Sequence, residues 1–268
     1  MTENIDLTNS DQYILTIRVS TDGFSFSFYH TVDKLFYYQT YKVDPSITIT
    51  ANLRNIFKGN NFLDKKYKKI IVLLDNAPNT LIPFELFDEE QINSQYKYNF
   101  PELSKQIVLF NILKKTSVVV LFSIEKTTYQ LLNENLGNII YYSTTTPFIE
   151  YCTGKNQQEE GLKLFVNVQR KKTDIICLNR NRILFDNTFA CSDTNDQMYY
   201  ILCVWKLMNM NQGNDNLYLY GNNDLKNKLK KYIREVHNID ICSDFGENEL
   251  TLAEDVPFAI KALYLCAL

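Results

Sequence analysis

The apolar residues Tyr13, Leu15, Ile17 and Val19 fall on one side of a predicted strand, with a period of two that is typical of a half-buried strand, and Thr16, Arg18 and Ser20 fall on the other. A Ser-Thr-Asp-Gly turn follows at residues 20–23, and phenylalanine then alternates with serine over residues 24–28. These patterns predict a β-hairpin. The chain continues with a third predicted strand at about residues 35–41, a helix from residue 49 to Gly59, and a strand buried on both faces at residues 69–76.

The same order of elements occurs again about 150 residues further along the chain. Three strands are predicted at residues 164–168, 175–178 and 183–189, followed by a helix that a Thr194-x-x-Gln197 capping box opens and by a strand at 217–220. Both copies then continue as helix, strand, helix. These last elements are predicted at 126–136, 138–142 and 146–152 in the first copy and at 224–236, 239–242 and 254–267 in the second.

The first copy carries additional residues between its fourth strand and its next helix. They consist of a polar loop at 88–101 and two predicted strands at about 107–112 and 117–124. A polar segment, TGKNQQEEG at 153–161, separates the copies as a linker would. We therefore predict an N-terminal lobe over residues 1–153, with an insertion at about 88–124, and a C-terminal lobe over residues 161–268.

Composition and charge narrow the possible functions. The net charge is −3 with both signs spread along the chain, which does not favour nucleic acid or an anionic membrane as a partner. The N-terminal residues lack a basic region followed by an apolar run, and the longest apolar block, 198–205, is too short to span a membrane. We therefore expect a cytoplasmic protein without direct membrane insertion.

The residue types needed for several kinds of chemistry are scarce. The six cysteines form no CxxC pair and there are two histidines, so the sequence indicates neither a metal site nor a disulfide framework. The GxSxG, GxGxxG and Walker A patterns do not occur. With His30 near a strand end and His237 near a helix end, no Ser-His-Asp or Cys-His arrangement is indicated.

The stretch VNVQRKKTDI at 166–175 resembles the second phosphate loop of the actin-like superfamily. That loop reads hydrophobic-Asp-hydrophobic-Gly-Gly-Gly-Ser-Thr-Asp-hydrophobic, and Thr173 and Asp174 match it. The resemblance implies an α/β protein with the actin-like ATPase fold, in which duplicated ribonuclease H-like lobes (βββαβαβα) face each other across a cleft. Two further stretches, TLIPFELFDEE at 80–90 and TSVVVLFSIEK at 116–126, are similar to an uncharacterised bacterial family with this fold, whose nearest relatives with a role are pilus-assembly ATPase-like proteins.

The stretch at 166–175 departs from the superfamily pattern at the positions that would bind phosphate and Mg²⁺. Glycines let backbone N–H groups approach a phosphate, but here Gln169, Arg170 and Lys171 replace them. Asn167 replaces the aspartate, and its amide has no charge to compensate Mg²⁺. The loop is therefore not expected to hold a nucleotide in the usual way.

The two other nucleotide-binding elements of the superfamily are also incomplete. The first loop, STDGFSF, keeps only Asp22 and Gly23, which a simple hairpin turn explains as well. The adenosine element resembles LYLYGNNDLKNKL at 217–229, where Gly221 is present and Asn222 replaces the second glycine. An ordinary helix start explains that segment equally well.

These observations favour a non-catalytic, degenerate actin-like protein that acts as a cytoplasmic scaffold or adaptor, with a protein partner and no cofactor. The alternatives are an ATP-dependent phosphotransferase or ATPase with an atypical site, and a sensor of an anionic small molecule. Superfamily geometry would point the turn at 169–172 into the cleft, where its cations are either incidental or bind an anion. The candidate cleft residues are Asp22, Gly23, Asn167, Arg170, Lys171, Lys172, Thr173, Asp174, Gly221 and Asn222.

Overall fold

The structure, a computed structural model, describes residues 5–75, 77–101, 104–155, 160–221, 223–245 and 255–266. Asn222, residues 156–159 of the predicted linker and both ends of the predicted helix at 254–267 lie outside these ranges. The strands are β1 Tyr13–Ser20, β2 Gly23–His30, β3 Phe36–Tyr41, β4 Lys69–Leu74, β5 Asn79–Pro83, β6 Gln106–Leu113, β7 Val118–Glu125, β8 Ile139–Ser143, β9 Leu162–Val168, β10 Lys172–Asn179, β11 Arg182–Ala190, β12 Asn216–Tyr220 and β13 Val236–Asn238. The helices are α1 Ile49–Gly59, α2 Ile92–Asn99, α3 Lys126–Leu136, α4 Thr145–Lys155, α5 Thr194–Leu207, α6 Asn223–Leu229 and α7 Phe258–Cys266.

Two five-stranded sheets have the same topology. The first has the order β3-β2-β1-β4-β8 and the second the order β11-β10-β9-β12-β13. In each, an antiparallel three-stranded meander is followed by two strands that run parallel to its first strand. The repeat seen in the hydrophobic pattern is therefore a repeat of structure, and the α/β class agrees with the prediction from the sequence.

Each sheet is covered on both faces by helices. Leu53 of α1 and Leu132 of α3 belong to the same apolar cluster as Leu15 and Ile17, which share one face of the first sheet. Val166 and Ile175 share one face of the second sheet and form a separate cluster with α5 and α6. Because helices cover both faces, β4 and β12, the strands with two parallel neighbours, are apolar on both faces.

The last helix of the second copy packs on the first sheet. Leu263 of α7 packs on Ile14 and Ile71 of the first sheet, and Tyr264 of α7 shares hydrogen bonds with Thr16 (2.9 Å) and Ser27 (3.1 Å). The buried apolar residues of α4 belong to a cluster that holds residues of both sheets, among them Leu15 of the first and Phe165 of the second. The division into lobes at 153 and 161 stays a prediction, because α4 and α7 pack on each other and link the two sheets.

The insertion contains more structure than the sequence indicates. Its strands β6 and β7 form a three-stranded sheet of order β5-β7-β6 with β5, so the added subdomain begins at Asn79, before the predicted residue 88; α2 lies within the predicted polar loop at 88–101. Tyr96 is the one buried residue of α2; its hydroxyl donates to the Pro78 carbonyl at 2.6 Å and bonds Ser123 at 3.0 Å. A five-residue strand and a helix with one buried side chain leave almost no periodicity, so the sequence prediction of a strand pair within 88–124 was incomplete.

Three local predictions were wrong. The helix predicted at 224–236 ends at Leu229, and the strand predicted at 239–242 lies instead at Val236–Asn238, because Leu217 pairs with Val236 in the sheet. The capping box at Thr194 is absent: Asp193 is the N-cap and accepts from the N–H groups of Asn195 (2.7 Å) and Asp196 (3.0 Å).

Candidate functional site: the cleft between the two hairpins

Two tight hairpins, one from each sheet, meet at the cleft. Ser20 pairs with Gly23 across the β1–β2 turn, and the Gln169 N–H donates to the Lys172 carbonyl (2.9 Å) across the β9–β10 turn. Gly23 has φ +151°, and a Cβ there would lie 2.7 Å from the Tyr41 carbonyl oxygen. The backbone N–H of Gln169 is therefore hydrogen-bonded within its own hairpin. The superfamily pattern has an open glycine-rich loop at this position.

A buried group of charges bridges the cleft. Asp75, which follows β4, accepts hydrogen bonds from Arg18 of β1 and from Lys172 of β10, the latter at 2.5 Å. We call Arg18, Asp75 and Lys172 the cross-lobe cluster. Only 3% of the Asp75 side chain is exposed, against 11% for each cation, so the ion pairs are shielded from solvent.

The two cations are neutralised locally. Besides Asp75, Arg18 lies 3.4 Å from Asp22 and Lys172 lies 3.8 Å from Asp174. Burial alone would raise the pKa of Asp75, but the charges of Arg18 and Lys172 outweigh burial and lower this pKa below its usual value. Asp75 is therefore ionised, and the cluster with its neighbours holds three carboxylates against two cations.

Asp174 is the centre of a second set of hydrogen bonds beside the cluster. Its carboxylate accepts from Asn167 Nδ2 at 2.9 Å, Gln169 Nε2 at 2.8 Å and Thr188 Oγ1 at 2.8 Å. Because Asn167 must turn its NH₂ group toward this carboxylate, its Oδ1 atom points the other way, and it is buried with no hydrogen-bond partner among the described residues. Asn167 therefore orients Asp174 within the protein.

Asp186 of β11 is a further carboxyl on this side of the sheet. Burial, and then the charge of Asp174, raise its pKa to about 7. A proton on Asp186 near neutral pH lessens the repulsion between the two carboxyls.

Two cavities adjoin the cross-lobe cluster, with Arg18, Asp22 and Asp75 in the walls of both. The first, about 480 Å³, extends toward Tyr38, Asn167 and the N-terminus of α7. The second, about 740 Å³, extends toward Arg170, Lys171 and Thr188. The cleft implied by the superfamily resemblance is present, and the cluster stands in its middle.

The predicted site residues do not all meet there. Asp22, Gly23, Asn167 and Asp174 line the first cavity, and Arg170, Lys171 and Lys172 line the second. Thr173 is fully buried on the opposite face of β10, where its hydroxyl bonds the Cys191 thiol at 3.5 Å. Thus Thr173 does not face the cleft.

Gly221 has a structural explanation. Its φ is +115°, and a Cβ would lie 2.8 Å from the Val168 carbonyl oxygen, so β12 can approach the hairpin only with glycine here. Gly221 lines a third cavity, about 330 Å³, together with Gln169 and Gln197. Asn222, the other residue of this element, lies outside the described residues.

Sequence reasoning missed several important residues of the cleft, namely Arg18, Asp75, Gln169 as a side-chain donor, Asp186 and Thr188. Two of them carried a signal. Asp75 directly follows the apolar run IIVLL, and Arg18 is a charge within a strand that is otherwise half apolar. Polar residues at the carboxyl ends of parallel strands meet at one edge of a sheet, which would have drawn attention to Asp75.

Comparison with known proteins agrees with this architecture. A family model described as "Protein of unknown function (DUF3822)" matches residues 2–236. The chain belongs to this family. A Bacteroides thetaiotaomicron protein with an actin-like ATPase fold and unknown function is 37% identical, covers 98% of this chain and 99% of its own, and superposes with a TM-score of 0.84.

A more distant match shows the fold alone. A PilM–PilN type IV pilus biogenesis complex contains a chain with 10% identity and a TM-score of 0.54, over 85% of this chain and 88% of its own. None of the curated proteins matches. The actin-like ATPase fold and the membership of an uncharacterised family, both implied by the sequence resemblance, are confirmed.

Metal-binding clusters and membrane spans are both missing from the described part of the chain. Within it, no group of three or more His, Cys, Asp and Glu side chains is placed to hold a metal ion. None of the described helices is long and apolar enough to cross a membrane.

Proposed function

We propose that this protein is a non-catalytic member of the actin-like ATPase fold that works as a scaffold or adaptor for another protein. The observation that carries the proposal is the cross-lobe cluster, since Asp75 is held by Arg18 and Lys172 between the two hairpins. In the superfamily this is where phosphates are bound. Here the space holds a buried carboxylate whose two cations are already paired.

Electrostatics argue against a nucleotide at this position. A triphosphate brought between the hairpins would meet Asp22, Asp75 and Asp174 and would have to compete with them for Arg18 and Lys172. Separating a buried ion pair costs about 3 to 5 kcal/mol when one partner is lost. The hairpin that would have to bind phosphate through its backbone also lacks glycines, and Asn167 supplies no charge toward Mg²⁺.

Partner binding is supported by the insertion and by one relative. The insertion adds a three-stranded sheet to the first lobe and exposes Phe84, Leu86 and Tyr98, with 49%, 68% and 89% of their surface accessible. Exposed apolar side chains on an added subdomain are common features of protein contacts. PilM, which shares the fold, occurs in a complex with PilN. A cytoplasmic location is part of the proposal and rests on the sequence.

One observation favours a second candidate function, the sensing of an anionic small molecule. Arg170 and Lys171 form the tip of the β9–β10 hairpin, are exposed and line the 740 Å³ cavity. Binding through these two side chains would be weakened by salt, because exposed charges are screened over about 8 Å at physiological ionic strength. Lys172 would take no part, since it is held by Asp75.

The decisive experiment measures Mg²⁺-dependent ATP turnover together with thermal unfolding. We expect no turnover and no change of melting temperature with Mg-ATP, whereas a ligand at 100 times its Kd would stabilise the fold by about 2.7 kcal/mol. Turnover that is lost in Lys172→Met and in Asp174→Asn but kept in the exposed-site control Asp64→Asn would establish the ATPase or phosphotransferase alternative.

Thermal unfolding also tests the second candidate function, the sensing of an anionic small molecule. Stabilisation by inorganic triphosphate without Mg²⁺, lost in an Arg170→Ala, Lys171→Ala double variant and in 0.5 M salt, would support it. Stabilisation unchanged in that variant would exclude the hairpin tip as the binding site.

A further inference from the structure

Two strand edges face each other across a groove on the side of the second cavity. β5 is an outer strand of the insertion sheet and β11 is an outer strand of the second five-stranded sheet. A groove of about 400 Å³ between them is lined by residues 79–81 and Pro83 on one side and by residues 183–186 on the other. We call it the edge groove.

Backbone edges as well as side chains form these walls. Successive residues of a strand point to opposite faces of its sheet, so a wall made from one face would contain alternate residues only. The edge groove is lined by consecutive residues on both sides. Among the described residues, β5 has β7 and β11 has β10 as its single hydrogen-bonded neighbour, so both walls present backbone groups with which no strand pairs, Pro83 contributing only its carbonyl.

A β-bulge places an apolar side chain in the groove. Cys177 pairs with Phe185 and Leu178 pairs with Ile183, which leaves Leu184 as an extra residue of β11. A bulge re-aims the side chain at its position. Leu184 is 38% exposed and lines the groove together with Leu81, so the walls combine free backbone groups with apolar side chains.

The two ends of the edge groove differ. Asn79 and Asp186 line both the edge groove and the 740 Å³ cavity, so the groove begins at that cavity. At the other end the groove is lined by Val118 and by Ile183, which directly follows Arg182. Arg182 is exposed, and its charge favours a negatively charged group at that end.

We propose that the edge groove binds an extended peptide segment of a partner protein by strand addition, with apolar side chains at alternate positions and acidic residues at the Arg182 end. A strand is the occupant whose own N–H and C=O groups can satisfy both edges, and alternate side chains would then contact Leu81 and Leu184. This inference rests on the proposed role in protein binding and supplies the class of partner. It does not depend on whether the cleft also turns over ATP.

The test selects phage-displayed random octapeptides on the full-length protein and measures binding of the selected, fluorescently labelled peptides. We expect sequences that alternate apolar and polar residues and carry Asp or Glu toward one end. Leu184→Asp should weaken binding at least tenfold, while Leu207→Asp, the same change at a leucine 61% exposed on α5, should not. Both positions are exposed, so circular dichroism and melting should match the unchanged protein.

Charge and backbone pairing have separate readouts. Arg182→Glu should weaken binding and reduce its salt dependence, and the matched Arg234→Glu on another surface should change neither. Hydrogen exchange of the amides in β5 and β11 should slow on peptide addition. Failure to enrich any peptide, or peptides that bind Leu184→Asp as tightly as the unchanged protein, would overturn the proposal.

A second copy of the chain is the competing occupant. Light scattering that shows a dimer, returned to monomer by Leu184→Asp and not by Leu207→Asp, would assign the groove to self-association and overturn the peptide proposal. Peptide binding together with measurable ATP turnover would overturn the non-catalytic function and leave the edge groove intact.

Discussion

At the scale of single residues, the most consequential arrangement is the cross-lobe cluster. A buried carboxylate is tolerated only when its desolvation is compensated, and Asp75 achieves this with one cation from each sheet. The cost of removing one member is unequal for the three. Without Lys172, Asp75 keeps Arg18, but without Asp75 the two buried cations keep only the longer contacts to Asp22 (3.4 Å) and Asp174 (3.8 Å).

We expect Asp75→Asn to lower the free energy of unfolding at pH 7 by about 3 to 5 kcal/mol, because it removes the buried carboxylate that Arg18 and Lys172 share. The folded-state pKa of Asp75 is lowered below the usual 3.8. Its stabilisation is therefore present above that value and lost as the pH falls through the folded pKa. Urea unfolding at pH 7 and pH 3 should show the gap between the two proteins narrowing in acid.

The control for this prediction is Asp64→Asn, an exposed carboxylate with no hydrogen bond among the described contacts. We expect a change within about 0.5 kcal/mol at either pH. An Asp75→Asn protein as stable as its parent at pH 7, or a gap that stays constant with pH, would refute the importance of the cluster.

At the scale of elements, the two hairpins and the segment after β12 show how a nucleotide fold can keep its geometry while its loops change. The β9–β10 hairpin closes through the Gln169–Lys172 backbone hydrogen bond, and Gln197 of α5 donates to the Gln169 carbonyl at 3.1 Å. Gly221 lets the end of β12 approach the same hairpin. These contacts fix the hairpin from three directions without any ligand.

We expect Gly221→Ala to destabilise the protein by about 1 to 3 kcal/mol, because it combines positive φ with a Cβ 2.8 Å from the Val168 carbonyl oxygen. Gly154→Ala provides the opposite control. Gly154 lies in α4, and a Cβ added there would meet no atom within 4 Å, so alanine should leave stability unchanged or raise it by up to about 1 kcal/mol. Chemical unfolding of both variants measures the difference, and equal effects would contradict this explanation of Gly221.

At the scale of the whole molecule, the last helices link the two halves. α7 supplies Leu263 and Tyr264 to the first sheet, and the buried apolar residues of α4 lie in a cluster shared by both sheets. We therefore expect the two halves to unfold as one cooperative unit. Trp205, the single tryptophan, lies in the cluster of the second sheet and reports on that part of the molecule.

We expect Leu263→Ala, which removes a fully buried side chain packed on the first sheet, to lower stability by about 2 to 5 kcal/mol. Because the halves unfold together, the Trp205 fluorescence transition should shift as much as the far-UV circular dichroism transition. The exposed Leu207→Ala should shift neither. A Trp205 transition unmoved by Leu263→Ala would show that the halves unfold independently.

The sequence by itself determined the repeated order of elements, because strand and helix periodicity are local properties that each copy states separately. The sequence also determined that the β9–β10 turn lacks the glycines and the aspartate of the superfamily pattern, since these can be checked residue by residue. The sequence did not predict β5, α2 and β13 correctly, because such short elements with few buried residues show little periodicity.

Only the tertiary structure decided which charges meet. Arg18 and Lys172 lie 57 and 97 residues from Asp75 in sequence, and no local pattern relates the three. It likewise decided that α7 packs on the first sheet, and that β5 and β11 leave their edges toward one groove. These features depend on how the two similar sheets are placed against each other. That placement is set by packing between residues far apart in sequence, and the order of elements along the chain does not specify it.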